Sequence, residues 1–377
     1  MAALGVGALA VPVLLEARVT RSERAAGESF ASVPVAGRGS TLLGISFRPR
    51  QAAEFGLDGR ATLARLLESP FSLVRVAAYW NSIEARPGVF DFRDLDSQLD
   101  AVERAGKRVI VAVGAVKNFG YPEFFVPPHR LDGPLPEGRL VSAVSHPALL
   151  AGAVEFVSRV AERYRDRASV LAWQLEHEAV DPLGVEHSWR LGVDFVAAEM
   201  AALRRADPSR PVIMNGFLPT STPVRVSQWW RTRDQGDSLA VAARIADIVG
   251  IDYYPRHALA GMGSRTVYMD GAATPWQRTL VDARVEQVRR SGKMFMVTEG
   301  QSEPWEAVTA PPSPRDREMF SCRAQHLLTN YNETMRWSTP AHPVYAYLFW
   351  GAEYWVLRDR DGDSRYMRAF ERVLEES

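Results

Sequence analysis

From Thr41 onward the sequence is a succession of short apolar runs, each followed by a polar or amphipathic stretch, and this pattern constrains the fold more than any other feature. The runs are TLLGISF (41–47), FSLVRVAAYW (71–80), KRVIVAVG (107–114), SVLAWQLE (169–176), PVIMNGF (211–217), DIVGIDYY (247–254), KMFMVTEG (293–300) and PVYAYLFW (343–350). Continuous apolar runs without strict alternation suit parallel strands covered on both faces. Between them, LDSQLDAVERAG (95–106) puts Leu95, Leu99, Val102 and Ala105 on one helical face. ALLAGAVEFVSRVAERYRD (148–166) and GVDFVAAEMAALRRADPSRP (192–211) read the same way, the second stopped by Asp-Pro ahead of its strand. Eight strand–helix units predict an α/β chain folded as a single (β/α)8 barrel with long βα loops. The rival, a doubly wound open sheet, normally carries a glycine-rich phosphate turn after its first strand, and GISFRPRQ (44–51) has none.

Composition removes several classes of function. Lys+Arg and Asp+Glu both number 45, so the chain lacks the basic footprint of a nucleic-acid binder. A lone cysteine, Cys322, excludes an internal disulfide framework, and seven scattered histidines form no HExxH pattern, so neither a metal nor another cofactor is expected. Residues Ala2 to Leu15 form an apolar run of fourteen, short of the roughly 20 that span a bilayer but suited to an export signal. The division expected is 1–40 as this run plus a Ser/Gly-rich tether, and 41–377 as the barrel. An exported location, or a membrane tether through residues 2–15, is favoured over an apolar extension packed on the domain.

In such barrels the reactive groups lie at the carboxyl ends of the strands. The fourth run ends Trp173-Gln174-Leu175-Glu176-His177-Glu178 and the seventh ends Val297-Thr298-Glu299-Gly300-Gln301, so each brings a glutamate to the mouth. Two carboxylates across a cleft are what glycoside hydrolysis requires: one protonates the leaving oxygen, the other attacks or stabilises the anomeric carbon. A single strand-end glutamate is more often a surface ion-pair partner. Two on runs four and seven, among aromatics, are less easily dismissed.

VLAWQLEHE (170–178) followed by Ala-Val-Asp-Pro resembles the strand-4 motif of the clan A retaining glycoside hydrolases, VRVAAYWNSIEARPGVFDFRDLD (74–96) resembles the strand-2 segment of their cellulase- and β-galactosidase-type members, and VTEGQSEPW (297–305) resembles their strand-7 segment. The resemblance implies a retaining β-glycoside hydrolase acting on an oligo- or polysaccharide, with Glu178 as general acid/base and Glu299 as nucleophile. It further implies that Arg75 and Tyr254 hold the nucleophile and that Trp350 floors the sugar site. His177 departs from the asparagine most members carry, although β-mannanase-like members also read His-Glu; an imidazole offers one donor and one acceptor to a sugar hydroxyl. Glu176 is a rival acid, expected one layer deeper and satisfying buried donors. Two other readings keep the same cleft: a transglycosylase using both glutamates, and a carbohydrate-binding barrel without catalysis.

Sugars need flat rings and polar partners. Trp305 and Trp350 are expected to line the cleft, with Asn118, Asn215 and Gln301 offering hydrogen bonds; of the remaining strand-end aromatics (Tyr79, Trp80, Phe119, Tyr121, Tyr253, Tyr354, Trp355), half are expected to be ordinary core. The Pro-rich stretch 120–146 is long enough to wall one side of the cleft. Asp359 to Asp363 looks like a calcium loop but lacks its closing glutamate and reads as a solvated turn.

Overall fold

The computed structural model describes residues 17–21, 29–120, 123–135, 138–181, 189–262, 265–271, 274–304 and 321–377. Eight strands close into a barrel, all neighbours parallel. In chain order they are β1 (Leu42–Ser46), β2 (Leu73–Ala77), β3 (Arg108–Ala112), β4 (Val170–Gln174), β5 (Val212–Phe217), β6 (Ile248–Tyr253), β7 (Met294–Gln301) and β8 (Val344–Trp350). Each falls within one of the apolar runs, save that β7 extends one residue past its run to Gln301, so the (β/α)8 barrel expected from the sequence is the fold of this chain. The amphipathic segments form helices Arg93–Arg104, Pro147–Tyr164 and Val193–Ala206, whose apolar faces are buried.

The strands are covered on both sides, which is why their sequences do not alternate. Outward side chains such as Val74, Val76, Val109, Val111 and Val249 join the large core shared with the helices. Inward ones build a smaller plug from Leu73, Ile110, Ala172, Ile213, Ile248, Met296, Ala346 and Leu348. One pleat higher along the same inward rows the chemistry changes. Ser46, Arg75, Gln174, Asn215 and Asp252 are all buried there, two residues on from plug positions or their neighbours, as the period of a strand requires. The barrel therefore carries an apolar floor beneath a polar layer at its carboxyl end.

Ahead of β1, Ala17–Arg21 pairs antiparallel with Arg265–Asp270, which pairs in turn with Arg256–Met262. Val33, Val35 and Ala36 pack on the main core, and Asn332 ties down Pro34 and Ala36 through their backbone. The apolar run 2–15 lies outside the described residues. Among the described residues no helix is long and apolar enough to cross a membrane. The Asp359–Asp363 turn is held by Asp363 accepting from Arg358 and Arg365.

Gly250 of β6 makes room for the polar layer. A Cβ there would stand 2.7 Å from the Thr298 methyl and 2.8 Å from Asn215 Cβ, neither of which can swing away. Gly250→Ala is expected to lower unfolding stability by about 1–3 kcal/mol, the usual cost of overpacking, measurable by urea denaturation; a neutral result would mean the interior is looser than described.

Candidate active site

The polar layer is organised around Arg75 on β2. This guanidinium is fully buried and donates to Ser46 Oγ on β1 (2.9 Å), Gln174 Oε1 on β4 (2.9 Å) and Glu299 Oε1 on β7 (2.7 Å). Its face packs on the Phe119 ring at 4.1 Å. Glu299 reaches it through a break in regular pairing: the register of β7 against β6 shifts between Val297 and Glu299. Thr298 and Glu299 thereby both serve the interior, Thr298 Oγ1 donating to Asp252 Oδ1 at 2.6 Å while Glu299 meets Arg75. Bulges commonly re-aim a side chain in this way. The second oxygen, Glu299 Oε2, accepts from the Tyr254 hydroxyl at 2.6 Å.

The other glutamate comes from an irregular turn. β4 stops at Gln174, and both Glu176 and Glu178 have left-handed backbone, at φ 51° and 43°. Simple strand alternation, which would aim the two acids the same way, does not apply. Glu176 turns aside to accept from the backbone N–H groups of Val116 and Lys117 (3.0 and 2.5 Å), as expected for a group satisfying buried donors. Lys117 returns the favour, its ammonium donating to the carbonyls of Glu178 and Asp181 (2.7 and 2.9 Å). Gly114 lets these loops touch, since a Cβ there would meet Lys117 O at 2.2 Å and Glu176 Cα at 2.7 Å. Left-handed conformers at ordinary residues cost about 1–3 kcal/mol each and survive only where neighbours over-determine them.

Glu178, thus released from the strand, joins His177 and Asp252, with one donor atom from each lying within 4.8 Å of the others. Asn215 fixes the tautomer of His177. Its Oδ1 accepts the Glu178 backbone N–H (3.2 Å), a group that can only donate, so the amide orientation is settled. The Nδ2 side then donates to Asp252 Oδ2 (2.6 Å) and to His177 Nδ1 (2.9 Å). His177 Nδ1 is therefore an acceptor, and the ring proton is on Nε2. Burial, then the Arg75 charge, push this imidazole well below its usual range, so it is neutral. The same three residues are the group among those described that could hold a cation. Two of their donor atoms already face the Asn215 amide, which suits a hydrogen-bonded, proton-holding set better than a metal centre.

The carboxyl groups fall into two electrostatic classes. Burial pushes Glu178 well above the carboxylate range, and the neighbouring charges of Asp252, Glu123 and Asp181 add to it. Asp252 is likewise raised, by burial and then by the Glu299 charge. Burial also pushes Glu299 upward, but Arg75 and the Tyr254 hydroxyl oppose it directly, which neither does at Glu178. Of the three, Glu299 is the one built to carry the negative charge.

The remaining sequence-predicted residues divide. Trp350 closes β8 over this layer, 4% exposed, with Arg48 stacked 4.2 Å from its ring and its indole N–H unpartnered. Asn118 spends its amide on the carbonyls of Ala78, Ala112 and Gly114, and Gln301 pairs both its polar ends with the Arg256 backbone. Both amides thus brace backbone in this structure. Trp305 and Tyr121 fall outside the described residues. Tyr79 and Phe119 join Trp350, Phe125 and Tyr254 in an aromatic cluster at the mouth, whereas Trp80, Tyr253, Tyr354 and Trp355 are core. In the 120–146 stretch, Glu123 approaches His177 Nε2 at 3.8 Å, so that loop does border the site.

Sequence reading passed over Asp252, although it stands two residues before Tyr254 and so faces the same interior. It also passed over Arg48, a fully buried guanidinium clamped by Glu303 (2.8 Å) and Glu353 (2.7 Å) beside Trp350. Glu303 comes from the loop after β7 and Glu353 from the first turn of the helix after β8, Ala352–Arg360, and no short-range pattern joins them to Arg48.

Glu176 and Glu178 are separable by stability. Glu176→Ala leaves two buried amides without an acceptor, at about 1–3 kcal/mol each, so a loss of about 2–6 kcal/mol is expected in urea titrations. Glu178→Ala removes a carboxyl that accepts no backbone N–H from the described residues and is expected to leave stability unchanged or raised. The reverse order would contradict the assignment of the two acids.

Comparison with known proteins agrees with the resemblance read from the sequence. The glycoside hydrolase family 42 model, described as beta-galactosidase, matches residues 49–183, from just after β1 through the Glu178 turn. Among solved structures, a GH5_18 protein from Streptomyces cattleya in complex with GlcNAc aligns with TM-score 0.57 at 15% identity, covering 90% of this chain and 81% of that one. An exo-beta-1,4-mannosidase from Opitutaceae bacterium strain TAV5 aligns with TM-score 0.54 at 17% identity, covering 82% of this chain and 52% of that one. A GH10 xylanase from Thermobacillus composti aligns with TM-score 0.51 at 15% identity, over 83% and 84% of the two chains. At such identities the likeness is one of fold.

Proposed function

We propose that the chain is a retaining β-glycoside hydrolase that cleaves an oligo- or polysaccharide by double displacement. The observation that carries this reading is the pairing of two buried glutamates, from the ends of β4 and β7, in opposite environments. Glu299 bonds to Arg75 and Tyr254, both of which favour its anion against burial; Glu178 has no ion-pair partner among the described residues and lies with Asp252.

In the first step a Glu299 oxygen attacks the anomeric carbon as the bond to the leaving oxygen breaks, and Glu178 delivers its proton to that oxygen. The product is a glycosyl ester of Glu299. Esterification removes the Glu299 charge, so the carboxyl groups beside it ionise more readily, and Glu178 becomes the base that takes a proton from water. Water adds to the anomeric carbon and Glu299 leaves as carboxylate, which Arg75 and Tyr254 receive. The neutral His177 Nε2–H and the Trp350 ring are available to orient the sugar. The names of the matched family and neighbours suggest galactosides, mannosides and xylosides as the first substrates to try.

Aryl β-galactoside, β-mannoside, β-xyloside and β-glucoside are the direct test. Glu299→Gln is expected to reduce turnover of whichever is accepted to background. Proton NMR of the wild-type reaction should show the β-anomer appearing first. Prompt formation of the α-anomer would overturn the double displacement.

Asp252 tunes the acid in this scheme. Asp252 is itself raised, and once ionised its charge beside Glu178 makes the last proton of the pair harder to lose, so the alkaline fall of kcat/KM lies at high pH. In Asp252→Asn that charge is gone, the Glu178 pKa drops, and the alkaline limb of kcat/KM is expected to move to lower pH. An unmoved limb would show that Asp252 serves packing alone.

A further inference from the structure

Helix Thr222–Thr232 is inside out. The side chains it turns to the protein are polar, Gln228 and Thr232, whereas Trp229 and Trp230 are 63% and 59% exposed and Val226 is 40% exposed. Ordinary surface helices do the opposite, and large exposed apolar groups side by side mark contact surfaces more often than chance. The helix is an insertion in the βα connection: helix Ser238–Ile245, next in the chain, is the one that packs on β5 and β6.

Its polar anchors fix where the two indoles stand. Gln228 Nε2 donates to Phe217 O, the last residue of β5, and to Asp181 Oδ2, three residues beyond Glu178 (3.3 and 3.2 Å). Asp181 also accepts the Ser238 backbone N–H, and just before the helix Thr220 Oγ1 donates to the carbonyl of Tyr254. Trp229 and Trp230, adjacent in sequence to Gln228, therefore ride on the rim of the barrel mouth beside the loop that bears the acid. Their ring centroids are 6.3 Å apart and the planes are inclined at 57°. The Arg233 guanidinium lies 3.8 Å from the Trp230 ring, stiffening it while covering only one face.

We propose that Trp229 and Trp230 form a second saccharide-binding platform, outside the cleft, which grips a distant stretch of a polymeric substrate on the leaving-group side. This rests on the glycoside hydrolase reading above. The chemistry fits: an indole face stacks on the C–H face of a pyranose, and fixed rings do so with little loss of freedom. The patch is too small for a protein partner. Two partly exposed indoles and a valine offer about 300 Å², against about 800 Å² per side in a stable protein interface. It is also interrupted by exposed Arg225, Ser227 and Arg231, leaving no continuous apolar face to enter a lipid interface.

The test compares wild type with the double variant Trp229→Ala/Trp230→Ala. On aryl monosaccharide β-glycosides the two are expected to agree within about twofold. On soluble galactan, mannan, xylan and β-glucan, kcat/KM of the accepted polymer is expected to fall about tenfold or more in the double variant, chiefly through KM. In affinity electrophoresis through gels containing each polymer, Glu299→Gln protein should be retarded, and the triple variant should run free. Equal retardation of both proteins, or equal polymer kinetics, overturns the platform. So does Trp-dependent sedimentation with anionic phospholipid vesicles without polymer retardation, or a dimer that the double variant abolishes. The two readings fail separately. If aryl glycosides turn over and no polymer is gripped, the platform falls and the glutamates stand. If a polymer is gripped through the tryptophans but no glycoside is cleaved, the hydrolase reading falls and the platform stands.

Discussion

A cation with no water around it has to be fully paired, and Arg75 meets that demand by bonding to three other strands at once. Its partners lie on β1, β4 and β7, so one side chain ties together parts of the barrel that are remote in sequence. The same contacts decide which acid is charged. Removing either partner of a buried pair leaves an uncompensated charge, at about 3–5 kcal/mol. The site and the stability of the barrel's upper layer are thus one system, in which the guanidinium that places Glu299 also favours its anion against burial.

Two departures from regular structure bring the two glutamates into the polar layer. A register shift in β7 lets Thr298 and Glu299 face inward in succession. Beyond β4 two left-handed residues split Glu176 from Glu178, one turning to backbone amides and the other to Asp252. An unbroken strand could aim only alternate residues at the interior. Both irregularities coincide with the groups assigned to chemistry, as expected where strain is kept for function.

The barrel was legible because its signal is long and repeated: eight runs, covered on both faces, in an order that closes. Arg75, Tyr254, His177, Glu178 and Glu299 stand out in the sequence because they lie at or beside strand ends, where position alone points to the mouth. Asn118 and Gln301 stand out for the same reason, although their amides are bonded to backbone. Asp252 was within reach, since period two from Tyr254 points to it. Arg48 was not, because its partners Glu303 and Glu353 are about 250 and 300 residues away. Nor could the outward turn of Trp229 and Trp230 be foreseen, since a helix pattern gives a face but not its neighbour.

The Asn215 amide has an effect beyond geometry. By occupying His177 Nδ1 it leaves that ring with a single hydrogen to offer and no lone pair, and burial keeps it uncharged. Whatever oxygen meets His177 must therefore receive rather than give. That preference stays the same from mildly acidic to alkaline solution, so the enzyme can grade the ionisation of its carboxyl groups without altering how the imidazole greets its guest.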